Sequence, residues 1–364
     1  MKKSYFQDWL FYVAGWTILT LAFTYAALIN IRIFIDMFSF HELIADNLFA
    51  EYLISDYQFL EAVLFGIAFG SFFFAINMVI DITHIHRLPF GTVLLLKSLM
   101  YSIAVFVVFF VIYNILRLAG LYNMPDLDDN VNYIMDVPEF LFFIAGFFVF
   151  GTVLMNFLSQ INKKFGPGNL LFMFLGRYHH PRIEDRIFLF IDLKDSTTIA
   201  EKLGHIRYSR LLQSFFNDLN YVLPKYHGDI YQYVGDEAVV TWKKQAGLKD
   251  LNCIRFHYAF RKRIDRRSGY YQKKYGLVPD FKTGLNMGEV TAAEVGILKR
   301  EIAYHGDVLN TAARIQQLCN EYGKSILTTQ RMVNNLPKKD FNIQLLGEKI
   351  LKGKIKAEKI YSID

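Results

Sequence analysis

Four apolar stretches, Trp9 to Ile29, Phe59 to Ile80, Phe90 to Leu116 and Phe140 to Leu158, constrain this 364-residue chain more than any other feature. Each is near the roughly 20 residues that a helix needs to cross about 30 Å of hydrocarbon. They predict four transmembrane helices. The third stretch contains Lys97, and a lysine at a bilayer centre costs about 2.5–3.5 kcal/mol. A span from Ser98 to Leu118 puts Lys97 at the helix end, where its side chain snorkels to the interface. Asn77, Asn114 and Asn156 are expected to hydrogen-bond between helices and so to support bundle assembly.

The connecting segments give an orientation. Asp36 to Asp56 carries five acids and no Lys or Arg, and Asp126 to Asp136 carries four acids and none either. The opposite side holds Lys2, Lys3, Arg87, Lys163 and Lys164. That asymmetry predicts both termini in the cytoplasm. A cleaved signal sequence is the competing reading of the first stretch, but its apolar run exceeds the roughly 7–15 residues of a signal core. His84 and His86 stand two apart in the short basic loop and read as interfacial polar residues, with a pH or metal sensor as the alternative.

Charge separates the halves: the first 182 residues hold 10 Lys and Arg against 13 Asp and Glu, and the remainder holds 30 against 21. The predicted organisation is an anchor over 1–160, a connector over 161–185 and a second domain over 186–364. The connector contains Gly166-Pro167-Gly168, an apolar run too short to cross a bilayer, and His179-His180-Pro181, read as a polar linker rather than a metal pair. Cys253 and Cys319 have no metal spacing and read as free thiols.

Beyond Arg186 the hydrophobic period switches repeatedly between 2 and 3.6, which predicts an α/β or α+β domain. RIFLFID reads as a buried strand, and GDIYQY with EAVVTW as a hairpin. STTIAEKLG and RYSRLLQSFFNDLNYVLPKY read as helices, the first capped by Asp195 or Ser196. LNCIRFHYAFRKRIDRRSGYYQKKY reads as a long basic helix, suited to an anionic membrane surface or to solvent rather than to nucleic acid.

Asp192 ends the first strand and Asp236 occupies the hairpin tip. If the two strands are neighbours, the carboxylates converge, as in the protein part of a two-metal site that completes its coordination with substrate oxygens. Taken alone, Gly235-Asp236 is also an ordinary turn pair. Further along, Asn310 and Arg314 are spaced i, i+4 in GDVLNTAARIQQL and share a helix face. An amide and a guanidinium there suit a nucleotide, Arg for phosphoryl charge and Asn for the ribose or a phosphate oxygen.

Taken together and in order, FLFIDLKDST, YQYVGDEAV, HGDVLNTAARI and LKGKIKAEKIY resemble the catalytic domain of class III nucleotidyl cyclases, the adenylate and guanylate cyclases. The resemblance runs from Ile187 to Ile363 and implies an α+β domain with a ferredoxin-like core sheet and flanking helices, following the transmembrane bundle. It implies that Asp192 and Asp236 bind two divalent cations, Mg²⁺ or Mn²⁺. It gives Asn310 and Arg314 the transition state, and Lys352 or Lys354 the phosphates. It also implies a homodimer whose metal acids come from one protomer and whose Asn/Arg pair comes from the other.

Two positions depart from the pattern. Where adenylate cyclases of this kind carry Lys with Asp or Thr, and guanylate cyclases Glu with Cys or a similar residue, this chain has Gln232 and Ala303. A Gln amide can serve either purine. These positions leave the base preference open. The abundance of ATP and the frequency with which bacterial members of the family make cyclic AMP favour conversion of ATP, less readily GTP, to a 3′,5′-cyclic nucleotide and pyrophosphate, at a bacterial inner membrane. The competing expectation is a catalytically silent receptor that binds a nucleotide or a partner.

Overall fold

A computed structural model describes residues 2–38, 57–82, 90–118, 138–165, 175–298, 300–337 and 341–364. It divides into two units, Lys2–Pro167 and Gly168–Asp364. The acidic segments over 39–56 and 126–136, His84, His86 and the connector over 166–174 lie outside the described residues. So do the side chains of Lys2, Lys3, Lys163, Lys164 and Asn114, and all of Arg87.

The first unit consists of α1 (Lys2–Phe38), α2 (Tyr57–Ile82), α3 (Phe90–Leu118) and α4 (Pro138–Phe165). Trp16, Phe69, Phe73, Tyr101, Val108 and Met155 form its buried centre. α1 and α2 touch backbone to backbone. A Cβ on Gly66 would stand 2.4 Å from Thr17 Cα, and one on Gly70 2.4 Å from Val13 Cα. This is the Gly-x-x-x-Gly spacing that lets helices pack closely in an apolar solvent.

Among the described residues two stretches, Asp8–Asn30 and Gln58–Ile80, are long and apolar enough to cross a membrane. Gly91–Val105 and Gly146–Ser159 are apolar but shorter. Four helices thus stand where four spans are expected, and two of them carry a described stretch of crossing length. Lys97 departs from expectation. α3 begins seven residues earlier, at Phe90, and Lys97 is buried, donating from Nζ to Asn77 Oδ1 at 2.7 Å. Asn77 in turn donates to Tyr101 Oη at 2.6 Å, so it does link α2 to α3. A buried ammonium is stabilised by such a partner rather than by reaching out of the bundle.

The second unit is built on an eight-stranded mixed sheet, ordered β2-β3-β1-β4-β6-β8-β7, with β5 paired to β4. Its elements are β1 (Arg182–Leu193), α5 (Ser196–Val222), β2 (Asp229–Val234), β3 (Glu237–Lys243), α6 (Lys244–Leu248), α7 (Asn252–Arg266), α8 (Ser268–Tyr275) and β4 (Phe281–Val295). β5 (Glu301–His305), α9 (Asp307–Leu318), β6 (Ile326–Thr329), α10 (Gln330–Val333), β7 (Ile343–Lys349) and β8 (Glu358–Ile363) follow. The order β4-β1-β3-β2 with α5 and α7 as crossovers is the ferredoxin-like arrangement. β1 reads as an unbroken apolar run because both its faces are covered. Ile187, Leu189, Ile191 and Leu193 pack under α5 and α7, while Phe188 and Phe190 pack with Val308 and Ala312 of α9.

Three local details differ from the sequence reading. FKTGLNMG and EVTAAEVG form one continuous 15-residue strand, β4. α5 breaks at Gly204, which has φ +71, between the two helices that the sequence predicts, but Asp195 begins it without a side-chain cap bond. The basic segment breaks at Arg267 into α7 and α8, and its charge is partly internal. Asp218, 1% exposed, accepts from Arg263 Nε at 2.9 Å, Arg267 Nη1 at 2.5 Å and Tyr271 Oη at 2.6 Å. Arg261 is likewise bound to Asp280 at 2.6 Å.

Candidate active site

The C-terminal end of β1 meets the β2–β3 hairpin at a patch of carboxylates. Asp192 lies directly opposite Glu237 of β3 on one side and Lys282 of β4 on the other. Residues opposite one another across antiparallel strands share a face, so the three side chains emerge together. Asp236 precedes Glu237 in the turn, where Gly235 takes φ +61, a conformation that costs glycine nothing. Ionic repulsion is built into this patch. Burial first, and then the charges of Asp192 and Asp236, push the Glu237 carboxyl up to about 7. The Asp192 carboxyl is also raised, first by burial and then by Asp236, against the opposing hydrogen bonds from Lys282 and Gln316.

Two side chains that the sequence did not single out hold Asp192. Gln316, 2% exposed on α9, donates from Nε2 to Asp192 Oδ2 at 2.9 Å. Lys282 Nζ stands 3.2 Å from the same oxygen. Gly284 makes the first contact possible: a Cβ there would sit 2.2 Å from Ala312 O and 2.4 Å from Gln316 N, so α9 lies directly on the strand.

Asn310 and Arg314 occupy the other side of α9. Val308, Thr311, Ala312, Ile315 and Gln316 are buried against the sheet, whereas Asn310 is exposed and Arg314 half-buried. The segment after β7 passes close by: a Cβ on Gly353 would stand 3.4 Å from Arg314 Nη2. Lys354 Nζ pairs with Asp307 in the first turn of α9 at 2.9 Å and with Glu358 at 3.4 Å, while Lys352 is exposed. Burial pushes the Asp307 carboxyl up, but Lys354 overrides it and holds the group below its usual range. Among the described residues no hydrogen bond or ion pair joins Asn310 or Arg314 to Asp192 or Asp236. The expected site residues therefore form two groups within one chain.

Gln232 and Ala303 stand on strands linked by a tyrosine pair. Gln232 is exposed just after a bulge at Tyr231 in β2, and Ala303 lies opposite Ala293 in the β4–β5 pair. Tyr304 N donates to Tyr231 Oη at 3.3 Å, and the two rings meet edge to face at 5.1 Å. Clefts of about 500 Å³, lined by Tyr226, Arg255, Tyr258, Lys262 and Phe341, and about 270 Å³, beside Lys194 and Asp280, include none of these site residues. Asn310 is exposed, and Asp192, Asp236 and Arg314 are half-buried.

The family described as the adenylate and guanylate cyclase catalytic domain matches residues 179–364. The chain belongs to that family. It is 35% identical over 199 residues to adenylate cyclase 2 of Rhizobium meliloti, covering 54% of this chain and 55% of that protein. It is 29% identical over 181 residues to an adenylate cyclase of Anabaena cylindrica, covering 48% and 36%. Among solved structures a bacterial light-regulated adenylyl cyclase is similar in fold, with a TM-score of 0.51 at 19% identity, covering 58% of this chain and 64% of that one. The chain thus spans about half or less of the length of these curated relatives.

The carboxylate patch fits divalent cations. Asp192 and Asp236 repel each other, and a cation between them would relieve the repulsion that raises Asp192 and Glu237. Among the described residues no three His, Cys, Asp or Glu side chains already form a metal cage. A two-carboxylate site suits Mg²⁺ in particular, which keeps water and substrate oxygens in its remaining positions. His179 and His180 are exposed and do not take part.

Proposed function

We propose that this chain is a membrane-anchored class III nucleotidyl cyclase that converts ATP, less readily GTP, to the 3′,5′-cyclic nucleotide and pyrophosphate in the shared site of a homodimer. The observation that carries this reading is the two-faced α9. Gln316 on its inner side binds Asp192, while among the described residues no hydrogen bond or ion pair joins Asn310 or Arg314, on its outer side, to the carboxylates of their own chain. A second copy supplying its α9 to the carboxylate patch would complete the set. The relatives named adenylate cyclases favour ATP, which Gln232 can also accept.

Asp192 and Asp236 would hold two divalent cations, Mg²⁺ or Mn²⁺, which when bound supply Lewis acidity to the 3′-hydroxyl and neutralise the triphosphate. The ribose 3′-oxygen bonds to the α-phosphorus, the bond from that phosphorus to the β-phosphate oxygen breaks, pyrophosphate leaves and the hydroxyl proton passes to solvent. Arg314 meets the charge that builds on the α-phosphoryl oxygens, as Arg does in phosphoryl transfer generally. Asn310, one turn earlier on the same face, orients the ribose. Lys354, already beside the first turn of α9, or the exposed Lys352 takes the terminal phosphates. Lys282 neutralises Asp192 in the free chain and competes with the cations for it.

The anchor is assigned to a bacterial plasma membrane, with both termini cytoplasmic. Its support is the pair of stretches of crossing length and the positive bias of the sequence loops. A silent cyclase-like receptor is the second reading, favoured by Ala303, which offers the base no side-chain hydrogen bond. Full-length purified chain offered ATP and GTP separately with Mn²⁺ or Mg²⁺ separates the two. The cyclase reading expects cyclic AMP from wild type and none from Asp236→Ala. Wild-type inactivity with both nucleotides would leave the receptor.

A further inference from the structure

Asp192 is held asymmetrically. Both of its internal partners, Gln316 Nε2 at 2.9 Å and Lys282 Nζ at 3.2 Å, contact the same oxygen, Oδ2. Among the described residues Oδ1 receives no hydrogen bond, so it is the oxygen open to a newcomer. Lys282 is a flexible point charge that a cation can displace. Gln316 is different: it is 2% exposed, and its backbone is wedged against Gly284, where no Cβ fits. Gly284 lies opposite Phe190, two residues before Asp192 on the same strand. The amide therefore reaches Asp192 from a fixed base.

We infer that Gln316 is the positioning residue of the metal site: its buried amide holds Asp192 Oδ2 so that Oδ1 faces the cations. This rests on the cyclase reading of Asp192 and Asp236. It adds that α9 serves two sites, steadying a metal ligand of its own chain with Gln316 and offering Asn310 and Arg314 to the partner. Outer-shell partners that orient a metal ligand change metal affinity by roughly 10–100-fold when removed. Nucleotide contacts made elsewhere are left alone.

The test measures Mn²⁺ binding by electron paramagnetic resonance on full-length chain, with an ATP analogue lacking the 3′-hydroxyl so that no turnover intervenes. Gln316→Met keeps the length and loses the donor; Gln316→Asn keeps the amide and loses the reach. Both are expected to weaken Mn²⁺ binding by about 10-fold or more, while analogue affinity measured with Ca²⁺-free, Mn²⁺-free protein and the thermal unfolding midpoint stay near wild type. Unchanged Mn²⁺ affinity in either folded variant overturns the inference. Asp236→Ala in the same assay tests the underlying reading separately. If wild-type Mn²⁺ binding survives that substitution, the metal assignment fails and the role of Gln316 fails with it; if binding is lost, the Gln316 variants decide alone.

Discussion

The two sides of α9 are held in opposite ways. On the inner side Gln316 is buried and bound to Asp192, and Gly284 admits the helix backbone to within what would be 2.2 Å of a Cβ. On the outer side Asn310 is exposed, and Arg314 is half-buried with the loop at Gly353 close by. One side is finished within the chain, and on the proposed homodimer reading the other is completed by a second copy. On that reading the contrast marks where the folding of a single chain stops and where assembly would supply the remainder.

The largest effect should come from the outer side. Arg314→Ala is expected to lower kcat by roughly 10³-fold or more, the scale of an arginine meeting phosphoryl charge. Mn²⁺ affinity should hardly change, because the proposed metal ligands are Asp192 and Asp236, whereas Arg314 is assigned to the α-phosphoryl oxygens. Turnover and metal titration on the same preparation check both halves of the expectation. A large loss of metal affinity would erase the contrast between the sides.

Gly284→Ala attacks the inner side through packing. The added methyl meets backbone at Ala312 and Gln316 rather than the end of a flexible side chain. Overpacking of this kind costs about 1–3 kcal/mol, which in a domain of 150–250 residues lowers the unfolding midpoint by about 2–4 °C per kcal/mol. Metal affinity should fall as well, since Gln316 moves away from Asp192.

A smaller, pH-dependent effect belongs to Glu237. Its carboxyl is raised to about 7 in the fold, by burial first and then by Asp192 and Asp236. The folded chain therefore holds the proton over a range where the unfolded chain has lost it, and stability falls as pH rises from the usual carboxylate range to about 7. Glu237→Gln removes that slope. Thermal unfolding without divalent cations should show the variant gaining on wild type as pH rises through this window, with a constant difference above it. A gain that grows toward lower pH would contradict the repulsion described for the patch.

Much of this arrangement was legible in the sequence, because local period and turn chemistry carry it. The run RIFLFID announces a strand buried on both faces, Gly235 announces the turn that presents Asp236, and the i, i+4 spacing puts Asn310 and Arg314 on one face. What stayed hidden is pairing between distant segments. Lys282 faces Asp192 only through the β1–β4 register, and Gln316 reaches it across 124 residues. The same holds for Asp218, whose three donors turn part of a basic helix inward, and for Lys97, which finds Asn77 inside the bundle. For the arginines on Asp218 and for Lys97, a charge that looked destined for a surface found a buried partner that periodicity does not encode.

The most direct measurement mixes two inactive chains, Asp192→Ala and Arg314→Ala, and assays cyclic nucleotide after the dimers exchange subunits. A heterodimer with two-fold related surfaces then contains one intact composite site. Random exchange should restore about one quarter of wild-type activity, since half of the dimers are mixed and each has one working site. Mixed dimers that form and stay inactive would contradict the account, because they would require Asp192 and Arg314 to act from the same chain.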